Sequence, residues 1–148
     1  MLFKNKLKNG MIFNRLYRFF LSDNPKGDYR KQFGTKSERE AVKFLKNDGY
    51  KILETNYRSK YGEVDIIAMD NKSIVFVEVK ARKSGKFGTP LEAVNLKKQR
   101  KISMVALDYL KKNKKISESA RFDVVGIEIT KDNSEIKLIK NAFELSYR

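Results

Sequence analysis

Four residues of types suited to phosphate chemistry fall at two-residue spacings in two β-branched stretches. They are Glu63 and Asp65 in Glu-Val-Asp-Ile-Ile-Ala-Met, and Glu78 and Lys80 in Ile-Val-Phe-Val-Glu-Val-Lys-Ala. Side chains alternate along a strand, so each pair shares one face. Asp70-Asn71-Lys72 between the stretches has the composition of a hairpin turn, which brings position 65 opposite 77 or 78. Opposed residues have Cβ atoms ~4.5–5.5 Å apart, close enough for Asp65 and Glu78 to hold one ion between them. Hard carboxylate oxygens suit Mg2+ or Mn2+, and the backbone carbonyl of Val79 offers a further donor. Lys80 beside such an ion can position an attacking water or stabilise charge building on a phosphorane. The same residues can be read as sheet ion pairs. What weighs against that reading is Ile74-Val75-Phe76-Val77, apolar on both faces as in a central buried strand, running directly into Glu-Val-Lys. Charges placed there each cost several kcal/mol unless a partner satisfies them.

The chain has 148 residues, enough for one domain and a single core. It carries 33 Lys and Arg against 18 Asp and Glu, a net charge of +15, and that field attracts polyanions, nucleic acid foremost. Cysteine and histidine are absent, which removes thiol nucleophiles, Ser-His triads, disulfides and Cys/His zinc sites. Hydrolysis by this chain must therefore use carboxylates, lysine or an oxygen-ligated metal. The lack of cysteine fits a reducing cytoplasm. No stretch approaches a membrane span, and stable membrane association is not expected. The N-terminus has a basic head and an apolar patch, but Asn14, Arg15 and Arg18 interrupt the patch and no cleavage motif follows, so secretion is not expected.

The elements that must position the four residues can be read on either side of them. Residues 1–33 form a basic extension with eight Lys or Arg and two Asp, in which Ile12, Leu16, Phe19 and Phe20 mark one face of a short amphipathic helix. That face serves packing on the core or on a second subunit in a homodimer, or else a phosphate or membrane surface. Residues 34–148 form the main domain. Gly34-Thr35-Lys36-Ser37 leads into a helix with Ala41, Phe44 and Leu45 inward and Gly49 as its stop. Strands follow at 50–59, 63–69 and 73–81. A long helix is then expected with Thr89 as N-cap, Pro90 at its first position and Glu92 closing a capping box, followed by strands at 122–129 and 135–139. The order α-β-β-β-α-β-β indicates an α/β fold, a mixed central sheet flanked by helices. Arg82, Lys83 and Lys86 in the loop after the third strand, and Lys97 and Lys98 on the long helix, are placed to hold a nucleic-acid backbone, or else form exposed basic surface. Asp123 after Arg121 reads as a structural ion-pair or capping residue.

Gly62-Glu63-Val64-Asp65-Ile66-Ile67-Ala68, with Val75-Phe76-Val77-Glu78-Val79-Lys80-Ala81-Arg82, resembles the YraN family of small bacterial proteins. These belong to the PD-(D/E)XK, restriction-endonuclease-like superfamily and are similar to Holliday-junction resolvases. Phe87-Gly88-Thr89-Pro90, Arg121-Phe122-Asp123-Val124-Val125 and Asn141-Ala142-Phe143 extend the resemblance over roughly residues 34–145. Val64 stands where the superfamily's name has proline. The resemblance implies metal binding by Asp65 and Glu78, catalytic support from Lys80, and a glutamate of the first helix, Glu38, completing the acidic cluster. Thr35 and Glu38, like Ser37 and Glu40, also have capping-box spacing, so a structural role for Glu38 stands beside the catalytic one. Related nucleases add a glutamine or lysine from the next helix, which makes Gln99 a secondary candidate along with Glu63. The expected function is a divalent-metal-dependent endonuclease acting on DNA, branched or structured DNA included. The alternative is a non-catalytic nucleic-acid-binding or assembly module on the same fold.

Overall fold

The computed structural model describes residues 2–7, 27–84 and 88–146. The expected amphipathic face at Ile12–Phe20 and the expected phosphate contact Lys86 lie outside them. In chain order the elements are β1 (Leu2–Leu7), α1 (Gly27–Asn47), β2 (Lys51–Ser59), β3 (Gly62–Asp70), β4 (Ser73–Lys83), α2 (Leu96–Lys112), β5 (Ala120–Ile129) and β6 (Ser134–Phe143). The strands form one mixed sheet in the order β1-β6-β5-β4-β3-β2, with β4 and β5 parallel and every other pair antiparallel. From α1 onward this is the order read from the sequence. β1, which pairs along β6, was not foreseen.

The two helices cover opposite faces. Ala41, Phe44 and Leu45 of α1 pack with Ile66, Ala68, Val75, Val77, Val125 and Leu138 on one side. Ile102, Val105, Ala106 and Tyr109 of α2 pack with Ile67, Ile74, Phe76, Phe122 and Val124 on the other. Burying each such side chain contributes about 1.5–3 kcal/mol. Residues 74–78 of β4 are buried throughout because β4 is internal to the sheet and roofed on both faces. A parallel neighbour requires a crossover, and the β4–α2–β5 connection supplies it. The β3–β4 hairpin closes at the pair Asp70–Ser73 around Asn71 and Lys72, with Asn71 in the left-handed region at φ 52°.

Both expected helix starts are corrected. α1 begins at Gly27, so Thr35 and Ser37 are interior to it rather than at its N-cap, and residues 33 and 34 both lie within it. Gly34, which costs about 1 kcal/mol in a helix relative to alanine, has nothing within 4 Å of where a Cβ would stand. The Thr89–Glu92 box does close: the Thr89 amide donates to Glu92 Oε2 and the Glu92 amide to Thr89 Oγ1 at 3.3 Å. It closes a turn rather than the helix, since α2 starts at Leu96 with Asn95 as its N-cap, Oδ1 accepting from the Lys98 amide at 2.9 Å. The turn is seated by Pro90, which lies where a Cβ on Gly126 of β5 would be, 2.6 Å from Pro90 Cβ. Gly126 is in turn the register partner of Lys80.

A polar network around Arg121 and Asp123 ties the elements together. Arg121 reaches Asp70 at 2.6 Å, Asp123 at 3.0 Å and the Tyr50 hydroxyl at 3.0 Å. Asp123, fully buried, also accepts from Tyr50 Oη and from the Asn141 amide, both at 3.0 Å. The structural reading of Asp123 is the one the geometry bears out.

Candidate active site

Asp65 and Glu78 come together where β3 and β4 part. The last bridged pair between these strands is Ile66–Val77. Beyond it the alternation of β3 breaks: Val64 lies in the α2-side core and Ile66 in the α1-side core. On the other neighbour, β2, Asn56 takes a left-handed conformation at φ 52° between the pairs Thr55–Ile66 and Tyr57–Val64, at the level of Asp65. The Asp65 side chain enters the opening, and its Oδ2 accepts the Val79 amide at 2.8 Å. The proximity read from simple register is therefore correct, although a side-chain–backbone bond has replaced regular pairing.

Glu78 is 3% exposed. Its Oε1 meets two ammonium groups, Lys80 Nζ at 2.9 Å and Lys98 Nζ at 3.3 Å. Its Oε2 is buried and has no hydrogen-bond partner among the described residues. An unsatisfied buried polar atom costs about 1–3 kcal/mol, more when charged. Burial, first, and the Glu78 charge, second, push the Asp65 carboxyl up to about 7, against the Val79 hydrogen bond, and Glu38 adds to the rise. Two acids near one another in a partly dry cleft resist joint ionisation, and a cation removes that conflict.

These groups line an open cleft of about 340 Å³ whose wall also includes Gly34, Ser37, Glu38, Glu63, Val79 and Ala81. Gly34 thus lines the cleft from α1, where a Cβ would stand in open space. Ser37 Oγ, on the same wall, is a second buried oxygen without a partner among the described residues. Glu38 shares the cleft with both acids, but among the described residues no three acidic side chains draw close enough to hold one ion. Glu63 is exposed and pairs with Arg58 at 3.3 Å at the mouth.

The remaining candidates separate. Gln99 turns away from the acids: its Nε2 donates to the Val94 carbonyl at 2.8 Å, finishing the turn before α2. Lys98, expected among the outer basic residues, is the α2 residue that reaches Glu78. Its position one turn before buried Ile102 was a signal available in the sequence. Lys97 is exposed and lines no part of the cleft. Arg82 and Lys83 are not loop residues; they prolong β4, in register with Glu128 and Ile129, and lie outside the cleft wall.

A mixed sheet with one helix on each face, and a carboxylate pair at the opening of a central hairpin, is a restriction-endonuclease-like fold. Within that class, the model of the family described as Uncharacterised protein family UPF0102 matches residues 37–127, and the chain belongs to that family, the YraN family. A UPF0102 protein of Geobacter metallireducens is 49% identical over 119 residues, covering 80% of this chain and 98% of the relative. One of Syntrophus aciditrophicus is 49% identical, covering 77% and 90%. One of Alkaliphilus oremlandii is 50% identical, covering 76% and 98%. Asp65, Glu78, Lys80 and Lys98 all fall in the matched span. Among the described residues, no helix is long and apolar enough to cross a membrane.

Proposed function

We propose that the chain hydrolyses phosphodiester bonds of DNA, branched or structured DNA included, at the Asp65–Glu78–Lys80 cleft, with Mg2+ or Mn2+ and in the cytoplasm. The observation that carries this is the buried, unpartnered Glu78 Oε2 beside an acid whose protonation is favoured by its surroundings. The donor set fits such a cation: two carboxylates of hard oxygen, with the Val79 carbonyl as a third donor, within the one or two carboxylates magnesium usually takes. Bound there, the ion supplies Lewis acidity toward a phosphate oxygen and lowers the pKa of water. The chain's own groups do the rest. The Val79 amide fixes the Asp65 carboxylate. Lys80, about one-third exposed, presents its ammonium toward charge that develops on the phosphate. Lys98 offsets Glu78 from the opposite wall, and the net charge of +15 draws the polyanion in.

A second reading, a binding or assembly module without turnover, is favoured by one observation: no three acidic residues close into a complete ligand set among the described residues. The two readings separate on a panel of linear, flapped and four-way DNA with magnesium or manganese. Cleavage that disappears in Asp65→Ala and Glu78→Ala, with folding intact, supports hydrolysis. Salt-sensitive binding with no cleavage of any topology supports the module.

A further inference from the structure

Beside the cleft lies a second groove, of about 550 Å³, between the β2–β3 tip and the start of α2, lined by Arg58, Ser59, Gly62, Glu63, Lys98 and Lys101. Glu63 and Lys98 belong to both walls, so groove and cleft are continuous. Three of the six lining residues are cationic, and the single acid, Glu63, is paired to Arg58. On the same β2–β3 tip, next to Gly62 in the chain, stands Tyr61, one of the few large hydrophobic side chains exposed among the described residues, with Lys60 Nζ 5.1 Å from its ring centre. Gly62, at φ 142°, lets the tip turn down onto α2, where a Cβ would sit 3.8 Å from Lys101 and Val105.

We propose that this groove seats an unpaired polynucleotide strand and leads it into the cleft, a substrate class that rests on the hydrolytic reading of the site. Cations spaced along a channel match a phosphodiester backbone, whose attraction is independent of sequence. An exposed aromatic face on the tip that borders the groove has nothing to stack on in a duplex, where base faces are already covered, but binds an unstacked base. The groove volume is that of a pocket taking one ligand-sized unit at a time, ~300–1,000 Å³, whereas duplex recognition spreads over about 1,000–2,500 Å² of protein surface. A strand lying here passes Lys101, Arg58 and then Lys98 before its phosphate arrives at Glu78 and Asp65.

The test is fluorescence anisotropy on the full chain in EDTA, so that its outcome stands whether or not the cleft cuts. Labelled single-stranded DNA, the same sequence as single-stranded RNA, and a blunt DNA duplex are compared. The single strand should bind ~10-fold tighter than the duplex. Lys101→Glu and Arg58→Glu should each weaken it ~10-fold, and Tyr61→Ala ~5-fold or more. Lys131→Glu, the same charge reversal in the exposed β5–β6 turn, should cost much less. Preference for the RNA strand over the DNA strand leaves the groove's role standing and defines the sugar. Equal or tighter duplex binding, or a Lys131→Glu loss as large as that of Lys101→Glu, overturns the proposal.

Discussion

Asp65 accepts the amide hydrogen of Val79 at 2.8 Å, two residues past the last bridged pair of β3 and β4. A backbone donor that would otherwise lose its partner where the strands part is thereby satisfied by a carboxylate. The same bond aims Asp65 at Glu78. One contact ends the hairpin and builds the acid pair.

The acid pair gives the metal-free protein a specific pH dependence. Between about pH 4 and about 7 the folded chain holds a proton on Asp65 that the unfolded chain has released. Stability is therefore greatest on the acid side of this window, falls as pH rises through it, and is flat above it, by an amount on the order of a few kcal/mol. Urea unfolding in EDTA at several pH values should show that slope, and Asp65→Asn should remove most of it. A wild-type slope that persists in Asp65→Asn would assign it to other groups.

Lys98 and Lys80 both occupy Glu78 Oε1. Lys98→Met leaves the buried carboxylate with one cation, and because both lysines are about one-third exposed the loss of stability should be about 1–2 kcal/mol rather than that of a fully dry pair. Removing a positive charge beside the acids should at the same time tighten Mn2+ binding measured by calorimetry. Weaker Mn2+ binding in Lys98→Met would mean that this lysine orders the site rather than competes for it.

Pro90 occupies the space above Gly126. Gly126→Ala forces overpacking and should lower stability by about 1–3 kcal/mol. Adding Pro90→Gly removes the colliding ring, so the double variant should recover much of the loss in Tm. Additive damage in the double variant would show that the two residues do not act through this contact.

Arg121→Ala should cost about 3–5 kcal/mol, because it strips the guanidinium from the fully buried Asp123. Burial alone would raise the Asp70 pKa, but the hydrogen bonds from Arg121 and Lys140 hold it low. Its contribution is present above the ordinary carboxylate range and is lost as pH falls through the folded value, and that acid sensitivity should weaken in the variant. Mn2+ affinity should be unchanged, since Arg121 bonds Asp70, Asp123 and Tyr50 and none of these lines the cleft. A parallel fall in Mn2+ affinity would show that the network and the cleft are coupled through β4, where Asp123 is in register with Val77 beside Glu78.

What the sequence made legible is whatever depends on short range. The β3–β4 hairpin, the apolar run of β4 and the turn at Asn71 specify one another within a few residues, and Asp65 and Glu78 followed from them. Helix starts were misread because capping signals are local but helix ends are chosen tertiarily. Gly34 looks like a breaker until the cleft beside it is visible, and Thr89–Glu92 makes its box without starting α2. The six-residue displacement of the N-cap, from Thr89 to Asn95, goes with a change in which α2 residue reaches the acids. Lys98 faces Glu78, while Gln99 is spent on the Val94 carbonyl. The unpartnered oxygens of Glu78 and Ser37 have no signature in the sequence, because being without a partner is a property of packing.

The two carboxylates come from a hairpin with a two-residue turn, whereas Lys98 arrives on the crossover between the parallel strands β4 and β5. Hairpins form in about 1–10 μs, and contacts distant in sequence form later. The acids thus meet before their second lysine is in place, with only Lys80 to offset them. Refolding speed, and not only the finished state, is then set by ionic conditions: salt or a divalent cation that relieves the early repulsion should accelerate the step in which α2 docks.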